Sequence, residues 1–393
     1  MKKAFTGLTL YLENRVLEHA FLLTEGEKIC GFGQGELSSE WEKEDLSGLS
    51  AAPGFIDIHL HGGGGHDFME PDPEAILKAA RAHLEHGTTT ILPTSCTSSN
   101  ESLFLMFDAY RKALSRSSDG ARLRGIHLEG PYLSPVMKGA MLEELLTDPI
   151  PSFYEPVLER GGDLIARWTI APERDGALAL GDLLSKRGIV VSAGHTTASP
   201  ALMREAAQHG FTLATHLYNA MTAMHKEGIF RVSGAAEGAL SSDAYDVEVV
   251  ADGIHQPIEI LNIVWRVKGS GKACLITDAT AIAGAPVPSD GKSILAERDV
   301  LIEDGVAKLA DRSAIAGSIA TGDVLLRKGA EAGIPLPEVV RMLTATPARI
   351  AHLSDVGVIR EGALADIVFF DDRLSVKRVV KGGRTVFAGD GFL

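Results

Sequence analysis

The feature that most constrains this chain is a unit repeated between residues 53 and 354: a short β-branched run, a capped helical stretch, a glycine, then another β-branched run. Asp72-Pro73 supplies an N-cap and a first-turn proline, and Ile76, Leu77, Ala80 and Leu84 form an apolar stripe at helical spacing. Gly87 ends that helix before TTTILPTS. Ser199-Pro200 opens the same series, Gly210 closes it before TLATHLYN, and LLSKRG runs into IVVSAGHT. Strand, helix, glycine, strand is the grammar of a parallel sheet, since parallel neighbours need a long crossover. About eight strand segments can be counted from FIDIHLH to ACLITDA, so the expected fold class is α/β, a closed (β/α)₈ TIM-like barrel.

The two ends read differently. KAFTGLTLYL, AFLLTEGEKICGFG, GALADIVFF and VKRVVKGGRTVF alternate apolar residues with turn signals, and Gly382-Gly383 has the form of a two-residue hairpin turn. The economical arrangement is a small β-sandwich domain made of residues 1–52 plus 355–393, with the barrel, residues 53–354, inserted between its halves. A chain of 393 residues has room for both.

Composition excludes some partners. The net charge is −14 and no Lys/Arg-rich block offers a local exception, which argues against nucleic acid and leaves any anionic substrate to a few local cations. No apolar run is long enough to span a membrane. Glu13, Asn14 and Arg15 interrupt the first apolar stretch before it reaches the length of a signal-peptide core. Cys30, Cys96 and Cys274 are widely spaced, the pattern expected of a reduced cytoplasmic protein with buried small thiols.

The chemistry concentrates at the strand ends. His59 and His61 lie two apart at the end of the first barrel strand, so both imidazoles point to one face, and the glycines at 62 to 65 let the chain turn close by. An isolated HxH is a weak signal. Its position is stronger, because barrel active sites form at the C-terminal strand ends. Glu129 in GIHLEGPYL, His195 in VVSAGHTT, His216 in LATHLYNAM and Asp278 in CLITDAT fall at the same place on later strands. Nitrogen and oxygen ligands of this kind suit a divalent ion such as zinc, Fe(II), Mn(II) or Co(II) better than calcium or copper. His83, His86 and His209 sit in final helical turns, where a cation complements the helix dipole. His127 shares a strand face with Glu129 and reads as support behind the site, while His255 in VVADGIHQP lies far enough along its loop to touch substrate. Ser192, Ser318 and Cys96 show no local triad signature.

With these residues placed, the chain resembles the N-acetylglucosamine-6-phosphate deacetylases of the amidohydrolase superfamily. The motifs that carry the resemblance are APGFIDIHLHG, HLEGPYLSP with KGA, SAGHT, THLYNAM, VADGIHQP, LITDA, AGS, ATPA and the tail GALADIV, in that order. The resemblance implies that Glu129, His195 and His216 hold the principal metal and that Asp278 is the general base and later the acid. It further implies that His255 polarises the acetyl carbonyl or contacts the sugar, and that Asn219 and Ala220 line the substrate pocket. Some relatives lack the first-strand histidines and use one metal. Having His59 and His61 leaves one or two ions open, with Glu129 as bridge.

Two departures bear on the substrate. Many relatives carry a histidine two residues after the KG of the KGA segment, where this chain has Met141, and the loop after NAM reads HKEGIFRVSG. The resemblance implies a homodimer in which Arg231 or Lys226 reaches the phosphate of the neighbouring subunit's substrate. The alternatives left open are an unphosphorylated or epimeric N-acetylhexosamine, or an N-acylamino acid. A noncatalytic sugar-binding protein would need a broken metal or acid/base set, and none is visible.

Overall fold

The computed structural model describes residues 2–116, 118–295 and 298–389. Eight parallel strands form its centre: Phe55–Leu60, Thr88–Ser95, Ile126–Glu129, Ile165–Ile170, Val190–Ala193, Phe211–Ala214, Asp246–Val250 and Ala273–Ile276. Each pairs with the next in sequence order. The ring closes where the Asp278 N–H donates to the His59 carbonyl (3.0 Å) and the His61 N–H to the Ala279 carbonyl (2.7 Å). Nearly every strand residue is buried, which is why these segments read as continuous β-branched runs rather than as alternating patterns. This is the expected (β/α)₈ barrel.

The local signals behave as the sequence leads one to expect. Asp72 caps the helix Pro73–Glu85 by accepting the Glu74 N–H (2.9 Å), and Ser199 caps Pro200–Gln208 by accepting that of Leu202 (3.2 Å). Gly87 and Gly210 stop their helices at φ +91° and +87°, a conformation that favours glycine. His83 departs from the reading given above. It is fully buried, and burial pushes its pKa down to about 4, so it is a neutral ring rather than a cation on a helix dipole. Its Nε2–H donates to the Gly62 carbonyl (2.8 Å), tying the helix to the glycine turn that follows His61.

The chain ends meet in one sheet. Five strands between Lys2 and Pro53 and three between Ile367 and Ala388 are joined where Ile367–Phe370 pairs antiparallel with Ser50–Pro53. Strand Lys2–Tyr11 changes partner along its length, pairing with Glu42–Asp45 and then with Ser50–Ala51. Phe5, Leu22, Ile29, Phe369 and Val380 fill its core. Gly382 and Gly383, at φ +55° and +72°, make the two-residue turn between Val376–Lys381 and Arg384–Ala388.

One element was not foreseen. After the last barrel strand the chain forms a four-stranded antiparallel sheet from Lys292–Leu295, Arg298–Glu303, Val306–Leu309 and Ile315–Ser318. Leu295 and Ala316 of this sheet pack with Met141 and Cys96 of the barrel loops. Among the described residues no helix is long and apolar enough to cross a membrane.

Candidate active site

The strand ends bring five imidazoles and carboxylates, and a sixth beside them, to one point. His59 lies in the first strand with His61 just beyond it, and Glu129 ends the third. His195, His216 and Asp278 each lie two residues past a strand, and all three adopt positive φ (+48°, +30° and +51°). Left-handed backbone at a residue other than glycine costs roughly 1–3 kcal/mol and persists where the surroundings impose it. Tyr218 and Ala220, at +72° and +46°, continue this strain through the THLYNAM loop.

Glu129 is the hub. Its Oε1 lies 3.2 Å from His195 Nε2, 3.1 Å from His216 Nε2 and 3.4 Å from His59 Nε2, while its Oε2 lies 3.2 Å from His61 Nε2. Asp278 Oδ1 stands 3.2 Å from His61 Nε2 and 3.5 Å from His59 Nε2. Two donor triads therefore share Glu129: His59–His61–Glu129 and Glu129–His195–His216, all buried.

These residues fit a divalent cation. His195 Nδ1 bonds the Met137 carbonyl (2.8 Å), His216 Nδ1 that of Asn219 (3.1 Å), and His59 Nδ1 the Glu248 carboxylate (3.3 Å). Such partners take the Nδ1 proton and leave each Nε2 lone pair facing inward. His195 Nε2 and His216 Nε2 then stand only 3.1 Å apart, and His59 Nε2 is buried without a hydrogen-bond partner. Lone pairs gathered this closely around a carboxylate call for a positive ion between them. The electrostatics agree. Burial works against charge on His59, yet Glu129 and Asp278 push its pKa up to about 9. Burial works against charge on Glu129 too, and the imidazoles around it, the His59 charge first, hold it well below the usual carboxylate range. The carboxylates demand positive charge, which a divalent ion supplies.

Behind the cluster, the sequence pointed to His127 but missed an ion pair. Arg167 and Glu248 form a fully buried ion pair, with Arg167 Nη2 2.8 Å from Glu248 Oε2 and a second contact from Nη1 to Oε1. The same Glu248 oxygen meets His59 Nδ1 and the backbone N–H of His216 (3.3 Å), so one carboxylate holds both halves of the site. The guanidinium also bonds Ser192 Oγ (2.8 Å), Thr215 Oγ1 (2.9 Å) and the Ile58 carbonyl (3.2 Å). His127 lies between the hydroxyls of Thr94 (3.2 Å) and Thr169 (2.7 Å); burial, and then the Arg167 charge, keep it neutral. A charge inside an otherwise apolar strand, as in IARWTI and DVEVV, was the available signal.

The cluster opens into a cavity of about 280 Å³ lined by His61, Glu129, His195, His216 and Asp278, together with His255, Asn219, Ala220 and Met141. Leu295, Ile315, Ala316 and Gly317 of the four-stranded sheet, with Ala314 of its last turn, form another wall. Asn219 Nδ2 is buried without a partner there, a donor free for a ligand. A larger cavity, about 720 Å³, lies between the glycine turn and the four-stranded sheet but contains none of the clustered groups, so size does not locate the chemistry. Lys226 and Arg231 are not brought to this cavity. They face each other across a short hairpin, His225–Glu227 against Phe230–Val232, and both are exposed.

The comparisons with known proteins agree with this geometry. The model of the amidohydrolase family matches residues 50–386. An N-acetylglucosamine-6-phosphate deacetylase of Haemophilus influenzae is 30% identical over 98% of this chain and 99% of its own length, and one of Lysinibacillus sphaericus is 33% identical over 86% of each. A solved structure of a mutant N-acetyl-D-glucosamine-6-phosphate deacetylase of Mycobacterium smegmatis, in complex with N-acetyl-D-glucosamine-6-phosphate, superposes with a TM-score of 0.91 at 32% identity, covering 98% of this chain and all of that one. The chain belongs to the amidohydrolase family, and within it its likeness is to the N-acetylglucosamine-6-phosphate deacetylases.

Proposed function

We propose that this protein hydrolyses the N-acetyl amide of an amino-sugar phosphate, N-acetylglucosamine 6-phosphate first, to the free amine and acetate. The observation that carries this reading is the pair of donor triads sharing Glu129 beside Asp278 and His255 in one cavity. Glu129, His195 and His216 would hold a divalent ion and His59 with His61 a second; zinc is the first choice, with Fe(II), Mn(II) or Co(II) as alternatives, and the ion supplies Lewis acidity and brings the pKa of water toward about 7. Asp278, kept below its usual range by the imidazoles around it despite burial, is ionised at neutral pH. It takes the proton from the attacking water and returns it to the sugar nitrogen as the C–N bond breaks. His255 faces the acetyl carbonyl and steadies the charge that develops there. Asn219 offers its free N–H to a sugar hydroxyl, and Ala220 and Met141 shape the wall.

Among the described residues no lysine or arginine lines the cavity. The phosphate is therefore met from outside, by Arg231 or Lys226 of a second copy, which makes the working form a homodimer. Ile229 and Phe230, 88% and 70% exposed at the tip of the same hairpin, support burial of that hairpin against a partner. We also place the protein in the cytoplasm, in keeping with its free cysteines, and divide it into a companion domain, 1–52 with 355–393, and a catalytic domain, 53–354.

Met141 and the lack of a cation in the cavity favour a second reading, an unphosphorylated or epimeric N-acetylhexosamine, with an N-acylamino acid as a further candidate. Acetate release from N-acetylglucosamine 6-phosphate, its unphosphorylated form, its 4-epimer and an N-acetylamino acid separates these. The first reading expects the highest kcat/KM on the 6-phosphate. Equal efficiency with and without phosphate overturns it in favour of the second.

A further inference from the structure

We propose that Asp252 is a positioning residue for the hydrolysis, acting through His255. The inference rests on the reading of His255 as the group facing the acyl carbonyl. Asp252 follows the seventh barrel strand by two residues and is buried, at 7% exposure. Its carboxylate is fully used. Oδ1 accepts the backbone N–H groups of Ile254 (2.8 Å) and His255 (2.9 Å), and Oδ2 accepts the His255 Nδ1 proton (2.7 Å). One side chain thus fixes both the turn that carries His255 and the orientation of its ring. Gly253 takes φ +76° within this turn, a conformation that lets the chain double back over three residues.

The consequence is chemical as well as geometric. With Nδ1–H held by a carboxylate, Nε2 is the nitrogen left to the cavity that His255 lines beside Glu129, His216 and Asp278. The carboxylate also stabilises the doubly protonated ring, the form in which Nε2–H donates to a carbonyl oxygen that is gaining charge. The next residue extends the scaffold: Gln256 Nε2 donates to Asn219 Oδ1 (2.8 Å), joining this loop to the one that carries His216. That bond leaves Asn219 Nδ2 as the free donor. Asp252 itself does not line the cavity, so its influence on the reaction passes through His255.

The test is a double-mutant cycle of Asp252→Asn and His255→Gln with N-acetylglucosamine 6-phosphate, together with metal content and imidazole N–H NMR. Asp252→Asn keeps the side-chain volume and an oxygen for the two backbone donors while removing the charge. Hydrogen bonds to charged groups are worth roughly 1.5–3 kcal/mol, so kcat should fall about tenfold to a hundredfold with KM and metal content near wild type. The double variant should be no slower than His255→Gln alone, because the two act as one unit. In the spectrum, one far-downfield N–H resonance of the wild type should vanish in His255→Gln and move or vanish in Asp252→Asn. Wild-type turnover in Asp252→Asn, or a double variant slowed by the full product of the single effects, overturns the assignment while leaving the hydrolase reading intact. The NMR arm needs no turnover: absence of that resonance in the wild type overturns the contact whatever the substrate. Failure of the wild type to release acetate from any N-acetylated sugar counts against the hydrolase reading instead.

Discussion

Asp278 occupies a left-handed turn beside five other ionisable groups, and in the proposed reaction it carries one proton from oxygen to nitrogen. Asp278→Asn keeps the shape and removes the base, so turnover should fall by about 10²–10⁴-fold, the usual contribution of a general acid or base, while most metal remains. Assay of kcat and metal on the same sample checks this: a mild effect, or a loss that follows missing metal, removes Asp278 from the role. His195→Ala and His216→Ala should behave oppositely and lose metal and rate together. The clustering of these imidazoles and carboxylates was legible in the sequence because each stands at the C-terminal end of a barrel strand, where such groups converge. Asp252 was not, since an aspartate before glycine reads as an ordinary turn, and Arg167 and Glu248 were hidden because their partners are 81 residues apart. The left-handed φ values at His195, His216 and Asp278 leave no trace in residue type at all.

At the scale of elements, helix caps and glycine stops were readable because each depends on two or three adjacent residues. The four-stranded sheet from Lys292 to Ser318 was not, because its strands are short and mix charged with apolar residues while building a wall of the cavity through contacts with Met141 and Cys96. The helix Pro73–Glu85 is joined to the glycine turn through His83, and that joint has a pH signature. The folded pKa of His83 is depressed from 6.5 to about 4, so the unfolded chain binds the extra proton first. Its contribution is fully present above about pH 6.5 and is lost as pH falls toward about 4. In chelator-treated protein, the stability difference between wild type and His83→Gln should shrink by about 2 kcal/mol between pH 7 and pH 5, measured by urea unfolding. Parallel pH profiles would show that the ring is not a buried neutral group.

For the whole molecule, the barrel was legible because about eight buried strand segments alternate with helical stretches, and the terminal sheet because both ends change to an alternating pattern with a Gly-Gly turn. In the proposed homodimer a residue of the second copy meets the phosphate. If Arg231 is that residue, Arg231→Ala should raise KM for N-acetylglucosamine 6-phosphate about tenfold to a hundredfold, since a guanidinium–phosphate contact is charge-assisted, and should leave the unphosphorylated sugar unaffected. Identical KM changes on both sugars would place Arg231 outside phosphate recognition. In the proposed enzyme the buried triads around Glu129 hold the ion on which amide hydrolysis depends. The most direct test is acetate release from N-acetylglucosamine 6-phosphate by protein stripped of metal and verified as such, then titrated with zinc, Fe(II), Mn(II) or Co(II). The stripped protein should show no turnover, with recovery that saturates at one or two ions per chain; full activity without metal would mean that hydrolysis does not depend on an ion held at Glu129.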